Sequence, residues 1–236
     1  NFDKVKIGVL STSSMAFRNI IPEITIKDSD FILAGIASRD LSNPKILNLA
    51  TGCIAYRSYE ELIEDPLIKA VYIPLPNSLH YKFVKMALQH DKHVLVEKPM
   101  ACSFKEAKEL VKIASNKNLV LLENFQFRFH SQLKIISNYV EKGLLGELRS
   151  IRISLGFPPF SNQNNIRYNE ALGGGAFLDA GVYALKIAPY FMGREISVVQ
   201  AKVQFDENKK IVYVIILYII WDIFNIEIIC IFIVCA

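Results

Sequence analysis

The segment His93-Val94-Leu95-Val96-Glu97-Lys98-Pro99 sets an acid and a base directly after a run of apolar, strand-favouring residues. His93 to Val96 read as a short buried strand, so Glu97 and Lys98 stand where a strand ends. In an open parallel sheet, ligands bind outside the carboxyl ends of the strands. Pro99 fixes its own φ and biases Lys98 toward an extended backbone. A lysine held there could act on a bound carbonyl or on a neighbouring proton donor. Taken alone, Glu-Lys-Pro is more often a surface turn at a strand end. The second segment with chemical content is Gly173-Gly174-Gly175-Ala176-Phe177-Leu178-Asp179-Ala180-Gly181-Val182-Tyr183. A triple glycine lets a helix begin close to a ligand or to another backbone. On that helix Asp179 and Tyr183 are four apart and share a face, and Lys186 continues the stripe. By spacing alone, a solvated face with an Asp–Lys contact fits slightly better than a site.

The elements that would position these residues can be read in order. Val5 to Leu10 is a strand that ends in the polar turn Ser11-Thr12-Ser13-Ser14, and a helix follows from about Met15. This is the layout of a dinucleotide-binding βαβ start, with Ser11-x-Ser13-x-x-Ala16 where G-x-G-x-x-G/A is expected. Ala16 suits the third position. Serines at the first two carry a Cβ that holds the backbone further from a pyrophosphate, and their hydroxyls could offset this by donating to phosphate. The next strand, Phe31 to Ala37, leads into Ser38-Arg39-Asp40. At that position an acid binds the ribose of NAD, while Arg accommodates the 2′-phosphate of NADP. Ser38 and Arg39 favour NADP(H), and Asp40 keeps NAD(H) as the alternative.

Asn43-Pro44 reads as the start of a helix that ends at Gly52. Ser58-x-x-Glu61 and Ser103-x-x-Glu106 read as capping boxes. Ala70 to Ile73 is a buried strand running into Pro74-Leu75-Pro76-Asn77, with Asn77 expected to cap a helix whose first turn carries His80. Leu119 to Leu122 is a further strand. The alternation to this point predicts a doubly wound parallel sheet over residues 1–122. From Glu123 the character changes. Phe125, Phe127 and Phe129 suit interdomain packing, and Arg128 could face a cleft. A helix is expected from Ser131 to Lys142, ended by Gly143. Arg149 to Leu155 alternates with period two, so residues 123–210 read as the start of an α+β domain with an antiparallel sheet.

Composition narrows the function classes. The chain has 236 residues, 52% hydrophobic and 21% charged, which is enough for a sizeable core and unlike a disordered segment. Net charge is +4 with lysines spread along the chain, which argues against a nucleic-acid partner. Cys53, Cys102, Cys230 and Cys235 have neither metal-ligand nor redox-motif spacing. Reduced thiols, no metal and a cytoplasmic location are therefore expected.

Together, Pro74-Leu75-Pro76-Asn77-Ser78-Leu79-His80, Glu97-Lys98-Pro99 and the Gly173–Tyr183 segment resemble the glucose–fructose oxidoreductase / inositol dehydrogenase family of NAD(P)-dependent enzymes. The likeness runs from about Lys4 to about Phe205. It implies a Rossmann domain followed by an α/β domain on an open antiparallel sheet, with the site in the cleft between them. It implies catalysis by Lys98 and Tyr183, with Asp179 and Arg128 on the substrate side. The cofactor is then expected at Ser11, Ser13, Ser14, Met15, Ala16, Ser38, Arg39, Leu75, Pro76, Asn77, His80, Glu97 and Lys98. Many relatives have His at the position of Tyr183. Tyrosine there, with Pro158-Pro159 and Ile166-Arg167-Tyr168, looks most like the ketoreductases of nucleotide-linked deoxysugars. The expected activity is NADP(H)-dependent reduction of a keto group on a sugar or sugar nucleotide, in a protein that forms homo-oligomers where its sheet domain is complete. The rival is a non-catalytic NAD(P)-sensing regulator, or an inactive shortened product. The chemistry suits the residue types. A donor aimed at the ketone oxygen stabilises the negative charge that grows there. A lysine cation lowers the pKa of a nearby tyrosine, ordinarily about 10, toward neutrality.

Residues 211–236 depart from that pattern. They contain no Lys, Arg, Gly or Pro, and roughly four in ten are Ile. The unbroken apolar run, Ile211 to Trp221, is shorter than the ~20 residues of a membrane span. Asp222 and Glu227 would each cost about 2.5–3.5 kcal/mol near a bilayer centre, against about 0.3–0.6 kcal/mol gained per Ile. No membrane partner is expected. The reading favoured is a shifted frame in an AT-rich gene, leaving a truncated domain and an aggregation-prone tail outside any native sheet.

Overall fold

The computed structural model describes residues 4–43, 46, 52–146, 148, 151, 153–156, 160–162, 164–192, 197–205, 211–219 and 227–234. The chain divides into two compact units, Asn1–Asn124 and Phe125–Ala236.

The first unit follows the alternation of its sequence. Its elements are β1 (Val5–Leu10), a π-helical turn (Ala16–Ile20) running into α1 (Ile21–Thr25), β2 (Phe31–Ala37) and β3 (Ile54–Tyr56). Then come α2 (Tyr59–Glu64), β4 (Ala70–Ile73), α3 (Asn77–Gln89), β5 (His93–Val96), α4 (Phe104–Asn116) and β6 (Leu121–Glu123). The six strands are parallel in the order β3-β2-β1-β4-β5-β6. Strand order therefore reverses between β1 and β4, which opens a crevice at their carboxyl ends.

Both faces of the sheet are covered, as continuous apolar strands require. On one face Leu10, Val71, Ile73, Val94 and Val96 pack with Leu62 and Ile63 of α2, Phe83, Val84, Ala87 and Leu88 of α3, and Leu110 of α4. On the other, Ile7, Val9, Leu33, Ile36 and Tyr72 pack with Ala16, Ile21 and Ile24. Val71 and Ile73 go one way and Tyr72 the other, which is the period-two alternation of a strand. Gly8 leaves room for this packing, because a Cβ at that position would lie 2.5 Å from Leu62 Cδ2 and would force that buried side chain to shift.

Local signals set the helix starts. Ser58 and Ser103 cap α2 and α4, accepting from the N–H of Glu61 at 3.0 Å and of Glu106 at 3.3 Å. Asn77 differs from its expected role. It is the first residue of α3, and Pro76 occupies the cap position without a side-chain bond. The helix expected from Asn43-Pro44 falls mostly outside the described residues.

The second unit holds a 3-10 turn (Gln126–Phe129), α5 (Ser131–Glu141), β7 (Ile153–Gly156), two 3-10 turns (Ile166–Tyr168 and Glu170–Leu172) and a π-helical turn (Phe177–Gly181). These are followed by α6 (Val182–Met192), β8 (Ser197–Phe205), β9 (Ile211–Ile219) and β10 (Glu227–Val234). Its sheet has the order β7-β10-β9-β8. β8–β9 and β9–β10 are antiparallel, and β7–β10 is parallel.

This sheet corrects the reading of residues 211–236. They contribute two strands, with β9 paired to β8 from Ser197↔Ile219 to Phe205↔Ile211 and β10 paired to β9 from Glu227↔Ile219 to Val234↔Tyr213. β7 and β8 find neighbours in it as well. Ile153 pairs with Ile231, and Val203 with Val214. The physical reason is strand propensity. Ile, Val, Tyr and Phe favour a pleated surface, and a run too short and too charged for a bilayer is ample for strands of eight or nine residues.

Candidate active site

At the end of β1 the chain turns through Ser11, whose φ is +100°. L-residues rarely adopt this conformation, and glycine adopts it freely. Ser11 N–H donates to Ala37 O at 2.9 Å. Ser11 Oγ accepts from Ser13 N–H and Ser13 Oγ from Ala16 N–H, both at 3.2 Å. The serine hydroxyls thus brace the turn as acceptors, and each keeps its own proton to donate. Ser14 and Met15 are exposed in the first helical turn, and Ala16 is fully buried against the sheet.

At the end of β2, Ser38 is buried and its hydroxyl is engaged within its own turn. It donates to Asp40 O at 3.0 Å and accepts from Asp40 N–H at 3.2 Å. Asp40 is turned as well, with Oδ1 accepting from the N–H and the hydroxyl of Ser42 at 2.9 and 2.6 Å. Arg39 is exposed between them.

At the end of β5, Glu97 is anchored from two sides. Tyr72 Oη and Asn124 Nδ2 each donate to Glu97 Oε1 at 2.7 Å. Hydrogen bonds to a charged acceptor contribute about 1.5–3 kcal/mol each. Burial, and then the Glu97 carboxylate, push the Tyr72 phenol far above its ordinary value, so Tyr72 stays a donor. Glu97 is therefore held by the fold, and Lys98, half-buried, follows it directly. The next turn is tied down too, with Met100 N–H donating to Glu123 Oε1 at 2.9 Å.

His80, which the resemblance places beside a cofactor, is fully buried. Nδ1 lies 2.7 Å from Pro99 O and Nε2 lies 2.8 Å from Leu75 O. Burial lowers its pKa below the ordinary imidazole value, against the two carbonyls and Glu97, which raise it. The Leu75 side chain belongs to the core, while Pro76 and Asn77 are half-buried at the start of α3.

In the second unit, Gly173 (φ +73°) ends the second 3-10 turn, and Gly174 lies where a Cβ would meet three carbonyl oxygens at 2.6–2.7 Å. Gly174 N–H donates to Asn169 O and Gly175 N–H to Arg167 O. The glycines thus fold the Arg167 turn against the start of the following helix. There Arg167 Nε meets Asp179 Oδ2 at 2.6 Å, and the guanidinium lies 4.8 Å from the Phe160 ring centroid. Asp179 pairs with Arg167, and Lys186 Nζ lies 5.4 Å from the Phe125 ring centroid. Tyr183 stands among Phe125 and Phe127, with ring centroids 5.6 and 6.0 Å away. Arg128 is exposed on the 3-10 turn that carries Phe127.

Sequence reasoning missed Arg167, Tyr72 and Asn124 as partners. Arg167 had a signal, since the glycine loop that begins six residues later, at Gly173, folds back on it. Tyr72 and Asn124 had none, because their bonds span 25 and 27 residues.

Comparison with known proteins bears on both units. Residues 5–125 match the model of an oxidoreductase family with an NAD-binding Rossmann fold, and residues 134–218 match that of a GFO/IDH/MocA C-terminal domain. The chain is 38% identical over 197 residues to a dTDP-3,4-didehydro-2,6-dideoxy-alpha-D-glucose 3-reductase from Saccharopolyspora spinosa, covering 84% of this chain and 59% of the relative. It is 34% identical over 212 residues to the enzyme of that name from Actinomadura kijaniata, covering 90% and 63%. A crystal structure of a 3-ketoreductase from Actinomadura kijaniata, in complex with NADP and TDP-benzene, superposes with a TM-score of 0.89 at 30% identity, covering 98% of this chain and 70% of the other. The chain spans about three fifths of the length of these curated relatives.

Proposed function

The chain belongs to the GFO/IDH/MocA oxidoreductase family, and from that premise we propose that it uses NADP(H) to reduce a keto group on a sugar or a nucleotide-linked deoxysugar. The observation that carries this reading is the conformation of Ser11. A serine held at φ +100° makes a glycine's turn at the reversal of strand order. Backbone strain of this kind costs on the order of 1–3 kcal/mol and collects at ligand sites. The turn therefore fits the pyrophosphate of a dinucleotide. Arg39, exposed beside an Asp40 that is occupied with Ser42, fits a 2′-phosphate and favours NADP(H) over NAD(H).

A reduced nicotinamide, when bound, supplies the hydride. The chain's own residues supply the rest. Tyr183 donates the proton to the ketone oxygen, and Lys98 supplies the positive charge that favours release of that proton. Asp179, fixed by Arg167, offers a carboxylate oxygen to sugar hydroxyls. The dTDP-sugar 3-reductases among its relatives support a nucleotide-linked keto-sugar as substrate.

The test is turnover of NADPH with a panel of dTDP-linked keto-sugars. Lys98→Met and Tyr183→Phe should each keep NADPH binding and lose turnover by roughly 10²–10⁴-fold, the usual share of general acid–base catalysis. A Tyr183→Phe variant that turns over like the parent would remove Tyr183 from the proton donor's role.

A further inference from the structure

Lys98 sits on a loop that must hold its shape, and Glu97 fastens only one side of it. The other side runs through Pro99, whose carbonyl faces His80 Nδ1 at 2.7 Å. The second ring nitrogen of His80 faces the carbonyl of Leu75 at 2.8 Å, in the segment that leaves β4. The ring is fully buried and comes from the first turn of α3. One side chain therefore spans two loops at the carboxyl edge of the sheet. One of them carries Lys98, and the other borders the crevice where strand order reverses.

We propose that His80 is a positioning residue for Lys98, its two ring nitrogens bridging the carbonyls of Pro99 and Leu75 so that the Lys98 loop is tied to the crevice. The proposal rests on the reading of Lys98 as catalytic and adds the device that holds it in place. A neutral imidazole has one N–H, so donating to both carbonyls takes a proton on each ring nitrogen. The charged groups acting on the ring are Glu97, which favours that proton, and Lys98, which with burial opposes it. The bridge is thus complete only below the ring's lowered pKa, which lies on the acid side of the ordinary imidazole value, and half-made above it. Misplacement of a reacting group by about 1 Å can cost on the order of 10²-fold in rate.

Two substitutions separate the two bonds. An Asn amide nitrogen lies near the position of Nδ1 and a Gln amide nitrogen near that of Nε2. His80→Asn can keep the bond to Pro99, and His80→Gln the bond to Leu75. The reporter is the exchange of Met100 N–H, which donates to Glu123 just beyond Pro99. Amides of β1 gauge global opening. At a pH where the ring ¹⁵N shifts of His80 report both nitrogens protonated, the parent and His80→Asn should protect Met100 alike. His80→Gln should exchange there roughly 10-fold faster, with β1 unchanged. The corresponding loss in kcat, with KM for NADPH held, should be larger in His80→Gln than in His80→Asn. Equal exchange at Met100 in both variants would overturn the proposal, as would a ring that stays neutral until the fold is lost. Lys98→Met in the same assay separates the two readings. Undiminished turnover there removes the catalytic assignment of Lys98 and the positioning role with it. A dead Lys98→Met beside equal His80 variants removes the positioning role alone.

Discussion

Ser11 holds a conformation that its Cβ opposes, braced by its own hydroxyl on Ser13 N–H. The strain is on the order of 1–3 kcal/mol. Ser11→Gly removes the strain and the bond, and Ser11→Ala removes only the bond. Glycine's greater freedom in the unfolded chain returns about 0.5–1 kcal/mol of the difference. In urea melts the glycine variant should therefore be the more stable by about 1 kcal/mol, and equal midpoints would show the turn to be unstrained. His80 gives a second expectation, in pH. Its folded pKa lies below the ordinary value of 6.5, chiefly through burial. Between the folded pKa and 6.5 the unfolded chain binds more protons than the native one, so stability rises with pH. It levels off above 6.5 and falls on acidification below it. His80→Gln should flatten that slope between pH 5 and 7 in a series of melts at about half-unit steps, and a slope unchanged by the substitution would assign the linkage elsewhere.

At the scale of elements, what was legible in the sequence was local. β1, β4 and β5 announced themselves as apolar runs, and Ser58 and Ser103 announced their helices by a partner three residues on. Asn77 misled because the proline before it takes the cap position. Glu97 was legible as a strand-end residue, but not its partners, since register between β4, β5 and β6 decides who stands beside it. The tail misled most. Its composition alone suits a membrane segment or a shifted frame, while the pairing of Ile231 with both Ile153 and Ile216 makes β10 an inner strand. Proline there would remove a ladder hydrogen bond from an inner strand, a position that proline does not ordinarily occupy. Ile231→Pro should speed amide exchange across β7, β8 and β9 and leave β1 and β4 slow. Unchanged exchange in β7 would mean that β10 does not hold that place.

At the scale of the whole molecule, the described buried residues of the first unit's two apolar clusters all precede Phe125. Residues 1–124 should thus fold by themselves and bind NADPH. At a cofactor concentration of 100 Kd, binding adds about 2.7 kcal/mol of stability. A thermal midpoint that rises with NADPH and less with NADH is the expected result. A fragment that melts without cooperativity would show that this unit needs the rest of the chain.

The two sheets also differ in when they can be finished. The first closes with β6, in the order in which its later strands leave the ribosome, and domains made first generally fold first. In the second, β7 pairs among the described residues with β10 alone, and β10 is made after β8 and β9. Until β10 is made β7 therefore offers an open edge to whatever strand is near, and an open edge is a template for pairing with another chain. On a crowded polysome the nearest such strand belongs to a neighbouring nascent copy. The delay between the making of β7 and of β10, more than the stability of the finished sheet, then sets how long that edge stays open to such pairing.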